Sequence, residues 1–286
     1  MFIIAACVVV FAAGLFAVAR WGGCAVATPD RLGAVAVGRM PVGELARRYV
    51  WWVTVAAVGG IGAGVFATVG GRLVMRLLAA TSPDAQGRIT EAAEVVGVIS
   101  IPGTIALFIF GGLPAGVLSV LLYLVIRRWL PSGYLGGFCF GLLLLLLAST
   151  RLDPLRPGNF DFRIVGPGWL SLSTFGLLIV LHGMLVAALV ARYSQSLPLL
   201  ATPLRANDRR TIPRYWPLLL VLVLIPLVIL ALVGGVAVAV GSLLVRNTMW
   251  WHSRRLILAG RLLLVAAALV SLPSFVSAAN TILSAS

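Results

Sequence analysis

The chain contains no lysine, and that absence fixes its charge. All 22 basic residues are arginine, whose guanidinium stays protonated throughout the physiological range. The formal charge of +14 therefore cannot be shed by titrating a base. Acids are scarce too, at eight, and charged residues make up 10% of the chain against roughly 25% in a soluble domain. That scarcity excludes an ordinary water-exposed surface. Cysteine is limited to Cys7, Cys24 and Cys139, far apart and with no CxxC or Cys/His cluster, which excludes a zinc module, a redox motif and a disulfide framework. The two histidines, His182 and His252, could share a metal or haem only if the second folded into the core. No cofactor and no metal is expected.

Other absences narrow the partners. The arginines are scattered over all the loops instead of clustering with aromatics on one face, so nucleic acid is not an expected partner. Membrane lipids are, including anionic headgroups, which attract a juxtamembrane arginine by about 1 kcal/mol. Cys24 follows a hydrophobic stretch, as in a lipoprotein signal, but no basic segment precedes that stretch and Arg20 interrupts it, so an uncleaved first helix is expected. Gly62-Ala63-Gly64-Val65-Phe66-Ala67 fits a loose dinucleotide fingerprint but has no preceding strand and no βαβ unit. Helix packing accounts for it.

What the chain has in abundance is apolar sequence: 61% of residues and a mean hydropathy of +1.08. About 20 apolar residues in a helix cross a hydrocarbon core of about 30 Å. Runs of that kind occur at Phe2 to Ala19 (2–19), Val50 to Gly70 (50–70), Thr104 to Ile126 (104–126), Tyr134 to Ser149 (134–149), Trp169 to Ala191 (169–191), Trp216 to Val245 (216–245) and Leu256 to Ala278 (256–278). The fold class is all-α: one polytopic transmembrane bundle over 1–286, about seven spans, with two ordered extracytoplasmic loops. The fourth run is short. The sixth would measure about 45 Å as a straight helix, with Pro226 and Gly234-Gly235 as places to kink. Its halves are too short to span separately, so it counts once.

Loops after the first, third and fifth runs hold Arg20, Arg31, Arg39, Arg47, Arg48, Arg127, Arg128, Arg192, Arg205, Arg209, Arg210 and Arg214. These twelve outnumber the nine on the other side, which places the N-terminus outside and the C-terminus in the cytoplasm by the positive-inside rule. Trp51-Trp52, Trp129, Trp169, Trp216 and Trp250-Trp251 fall near run ends, where indoles favour the headgroup layer. Gly60 and Gly64, Gly112 and Gly116, and Gly137 and Gly141 form small-xxx-small pairs that let helices approach closely. They predict a tight bundle and leave room for a homodimer.

Candidate site residues lie mostly in the two outer loops. Arg72 and Arg76 stand one turn apart on a helical extension of the second run, ended by Thr81-Ser82-Pro83-Asp84. Both are placed to pair with Glu91 and Glu94 and fold this loop over the bundle mouth, either as a structural clasp or as a ligand site. The second loop, from Arg151 to Arg163, carries Asp153, Asp161 and Arg163 among prolines and rings. It reads as a rigid, self-neutralised loop or as a phosphate or acid-base site. Within the bundle, His182 sits near the middle of the fifth run, where an imidazole hydrogen-bonds across helices or relays protons. Arg261 lies about 9 Å inside the last run, within reach of the interface by snorkelling.

Gly71-Arg72-Leu73-Val74-Met75-Arg76-Leu77-Leu78-Ala79, Thr81-Ser82-Pro83, Thr90-Glu91 and Asn159-Phe160-Asp161-Phe162 together resemble a group of uncharacterised actinobacterial polytopic membrane proteins. The resemblance implies an inner-membrane helical protein and no activity. An accessory or scaffold role, with a membrane-protein partner held by the glycine-lined helices and outer loops, fits the low intramembrane charge. A small-solute transporter or channel is the alternative, and a lipid-modifying membrane enzyme the third class. No catalytic residue is assigned.

Overall fold

The computed structural model describes residues 2–27, 42–152, 154–156, 158–199, 212–217 and 254–284. Among them 77% are helical and there is no strand, as hydrocarbon demands, since a helix satisfies its backbone polar groups internally. Six helices carry the architecture: α1 Phe2–Ala19, α2 Val42–Ala80, α3 Ile101–Ile126, α4 Gly133–Leu147, α5 Gly168–Ser196 and α6 Arg254–Ser284. All but α4 are long and apolar enough to cross a membrane. Helix α4 reaches about 22 Å, the short element expected from its sequence. The expected span Trp216 to Val245 lies, from residue 218 onward, outside the described residues.

Helix α2 departs most from its apolar run. It extends to Val42 and Ala80, about 58 Å, because helix formers such as Glu44, Leu45, Arg47 and Arg48, then Arg72 to Leu78, continue the helix where hydropathy falls. Pro83 follows shortly after its end. Helix α3 contains a π-turn at Phe108–Gly112, adjoining the place where it meets α2.

Glycines set the two tightest seams. A Cβ on Gly64 would lie 2.7 Å from the Gly112 carbonyl oxygen, and one on Gly116 would collide with the Gly60 carbonyl. The Gly60/Gly64 and Gly112/Gly116 pairs thus mesh with one another. In the α4 and α5 seam, a Cβ on Gly141 would lie 2.5 Å from the Val180 oxygen. These pairs are used within the chain, so a second copy or partner would have to be held by other surfaces. Helices α2 and α5 are central, with 56% and 61% of their apolar windows buried, against 11% for both α1 and α6.

Contacts also fix the direction of each helix. Phe11 of α1 stacks on Phe66 of α2 at 4.7 Å, and the Ala19 carbonyl accepts the Tyr134 hydroxyl at the start of α4. Helices α1 to α5 therefore alternate in direction, with Phe2, Ala80, Ile101, Leu147 and Gly168 at one end, the loop end. At the opposite end Tyr215 donates to the Pro198 carbonyl at 2.8 Å, and Arg214 to Ser196. Helix α6 starts there, with Gly260 against the Trp129 indole, and finishes with Ile282 in the apolar cluster beneath the loops. The end of α6 thus lies at the loop end, the same end as Phe2. Tyr215 and Arg254 lie at the same end of the bundle, and residues 218–253, which carry most of the expected sixth run, lie outside the described residues.

The tryptophan expectation divides. Trp169 and Trp216 are exposed near the bundle ends as anchors would be, whereas Trp51 is fully buried and donates Nε1–H to the Leu197 carbonyl at 2.8 Å. Its face of α2 is turned toward the end of α5, so it caps an orphan helix carbonyl instead of anchoring in lipid. Trp250 and Trp251 lie outside the described residues.

Candidate functional site

The loop end is built on an apolar floor. Leu78 and Ala79 of α2, Ala85, Val96, Leu155, Phe162, Val165 and Ile282 are buried in one cluster, and Phe162 meets Phe175 edge-on at 6.0 Å. Above it, residues 87 to 96 form a small hairpin: Ile89 bridges Val95, Val96 N–H donates to Arg88 O and Thr90 N–H to Glu94 O. Ala93 takes φ 58° at its tight return, and the Thr90 hydroxyl accepts the Glu94 N–H.

Side chains then tie this hairpin to its surroundings. Arg76 Nη1 donates to the Gly97 carbonyl. Arg72 Nη1 lies 3.9 Å from Glu94 Oε2, and Ser100, which caps α3 by accepting the Gly103 N–H, donates to the same Glu94 oxygen at 3.4 Å. Gly103 is where the Glu94 carboxylate fits, since a Cβ there would strike it. Glu94 therefore joins α2, the hairpin and the first turn of α3.

Glu91 instead faces the second loop. Arg156 Nη2 donates to Glu91 Oε1 at 2.6 Å, and the Glu91 N–H donates to Asp161 Oδ1 at 2.8 Å. Asn159 Oδ1 accepts the Asp161 N–H and so shapes the start of the helical turn Asp161–Ile164. Ser82 bonds both the carbonyl and the N–H of Gly166. The Arg156 guanidinium, through its hydrogen bond above all, holds the Glu91 carboxyl below the usual carboxylate range. Burial, the largest influence on Asp161, pushes its carboxyl above that range against the pull of the Glu91 N–H.

The expected pairing of Arg72 and Arg76 with Glu91 and Glu94 is thus half met. Arg72 finds Glu94, Arg76 takes a carbonyl, and Glu91 goes to Arg156, a residue not singled out from the sequence. A basic residue between two loop prolines gave no hint of which acid it would meet. Arg163 is exposed and makes no side-chain contact with these groups among the described residues. Asp153 lies outside them.

His182 is separate from this cluster. Buried at the meeting of three helices, its Nε2 lies 3.1 Å from the Ser119 hydroxyl of α3. The Ala63 carbonyl of α2 is the other polar group at the ring, at a geometry that leaves Nδ1 without a well-formed hydrogen bond among the described residues. Ser119 was legible as a rare hydroxyl inside an apolar run, although its pairing was not. Among the described residues no cluster of three or more metal-ligating side chains occurs.

Comparison with protein-family models, curated proteins and solved structures finds no match. The apolar helices are compatible with a membrane-embedded protein, and function must be argued from the geometry alone.

Proposed function

We propose that the chain is an accessory or scaffold protein of the bacterial inner membrane, presenting a clasped extracytoplasmic cap to a membrane-protein partner. The observation that carries this reading is the cap itself. Two loops far apart in sequence are joined by Arg156 to Glu91, Glu91 N–H to Asp161 and Ser82 to Gly166, over a buried apolar floor. Such a surface is preorganised, which lowers the ordering cost of docking. Five described helices long and apolar enough to cross a bilayer support the membrane assignment, and the resemblance to actinobacterial membrane proteins suggests which membrane.

The arginines support an orientation with the loop end outside. Among the described residues nine lie at the end opposite the loops: Arg20, Arg47, Arg48, Arg127, Arg128, Arg192, Arg214, Arg254 and Arg255. The loop end holds six: Arg72, Arg76, Arg88, Arg151, Arg156 and Arg163. The positive-inside rule favours the richer end as the cytoplasmic one.

Purification of tagged protein from its native membrane in mild detergent, with mass spectrometry of what accompanies it, tests the role. A stoichiometric protein that is lost from Arg156→Glu is expected. A protein that arrives alone with a bound lipid or solute contradicts it. The buried Nδ1 of His182 favours a second reading, a small-solute transporter or channel, in which His182→Ala would abolish flux in proteoliposomes.

A further inference from the structure

Among the described residues, the junction of the two loops has one more carboxylate than it has cations. Glu91 and Asp161 both face the guanidinium of Arg156. The other described polar groups there are neutral: the Asn159 amide, which accepts the Asp161 N–H, and the Phe160 N–H, which faces the Glu91 carboxylate. On the far side of the hairpin turn Arg72 and Glu94 balance each other, and Arg76 is directed to the Gly97 carbonyl. Arg88, on the hairpin, and Arg163, two residues beyond Asp161, are exposed, with no side-chain contact to either carboxylate among the described residues.

We propose that Glu91, Arg156 and Asp161 form a proton-loaded latch, which closes the hairpin onto the second loop when Asp161 takes up a proton and loosens when that proton leaves. A proton on Asp161 brings the trio to neutrality and removes its repulsion with Glu91. The Glu91 N–H contact survives, weaker, because Oδ1 can still accept it as the carbonyl oxygen of an acid.

The two carboxyls respond to pH in opposite senses. Asp161 is raised in the closed state, chiefly by burial, so closure binds its proton more tightly, and closure weakens as pH climbs through that raised value. Glu91 is lowered in the closed state by Arg156. Its contribution is present above the ordinary glutamate value and is lost as pH falls through the depressed one. Between these two values the latch carries a proton on Asp161 and a charge on Glu91, and there it is tightest.

Spin labels at Ala92→Cys and Leu152→Cys, both exposed positions, read the loop-to-loop distance in the full chain in nanodiscs, with Cys7, Cys24 and Cys139 replaced by alanine. In a titration from about pH 3 to about pH 8, the expected distribution is narrow on the acid side of the Asp161 transition and at least about twofold broader at about pH 8. Asp161→Asn, which keeps the acceptor and removes the charge, should not broaden as pH rises. Glu91→Gln, which removes the repelling carboxylate, should broaden less than the wild type. A wild-type width that does not change across the titration overturns the latch, as does an Asp161→Asn protein that still broadens with pH.

Discussion

His182 illustrates how a single polar side chain is held inside an apolar bundle. Its Nε2 and the Ser119 hydroxyl satisfy each other across α5 and α3, and such bonds in membranes average about 0.6 kcal/mol. Ser119→Ala should therefore cost about 1 kcal/mol or less, while His182→Ala also empties a buried ring site and should cost about 2 kcal/mol more. Detergent unfolding of the two single variants and the double variant measures both terms. Strict additivity would show that the 3.1 Å contact carries no coupling. The position of His182 was plain in the sequence because an imidazole in an apolar run stands out. Trp51 was misread at the same scale: its place in the chain suggested an interface, while only its direction from α2 reveals the Leu197 carbonyl it caps. Trp51→Phe should destabilise the protein by roughly 1 to 3 kcal/mol, since it leaves that buried carbonyl without its donor.

For the helices, glycine spacing was the most legible signal, and the seams show what it encodes. Gly116→Ala would place a methyl on the Gly60 carbonyl, and Gly141→Ala would place one 2.5 Å from the Val180 oxygen. Backbone cannot yield as a flexible side chain does, so each should cost about 1 to 3 kcal/mol. Gly176→Ala is the control. Its new methyl would meet only Leu145 at 3.9 Å, and with the helix preference of alanine it should be neutral or stabilising by up to about 1 kcal/mol. Equal losses at all three positions in thermal unfolding would mean that close packing is not what the glycines provide. The sequence did not show which pairs mesh, because spacing marks a face of a helix and says nothing of its neighbour. Nor did it show the true length of α2. Hydropathy reports where lipid ends, while propensity and the stop near Pro83 decide where the helix ends.

Across the whole molecule, the membrane class was readable from run length and charge scarcity, and the cap was partly readable from paired charges. The partner of Glu91 was not, since it lies 65 residues away on a loop whose path depends on the apolar floor. Helix direction was also hidden. Only the contacts of α6 with Trp129 and with the loop floor reveal its direction. The excess of arginine at the end opposite the loops supports the proposed extracytoplasmic placement of the cap. Membrane-impermeant thiol labelling of single-cysteine variants in intact cells tests this placement most directly, with Ala92→Cys in the hairpin, Ser132→Cys between α3 and α4, and a cysteine appended after Ser286. The account predicts rapid labelling at Ala92→Cys and at the C-terminus, and labelling of Ser132→Cys only after permeabilisation. Labelling of Ser132→Cys with protection of Ala92→Cys, or a C-terminus on the side opposite the hairpin, would contradict it.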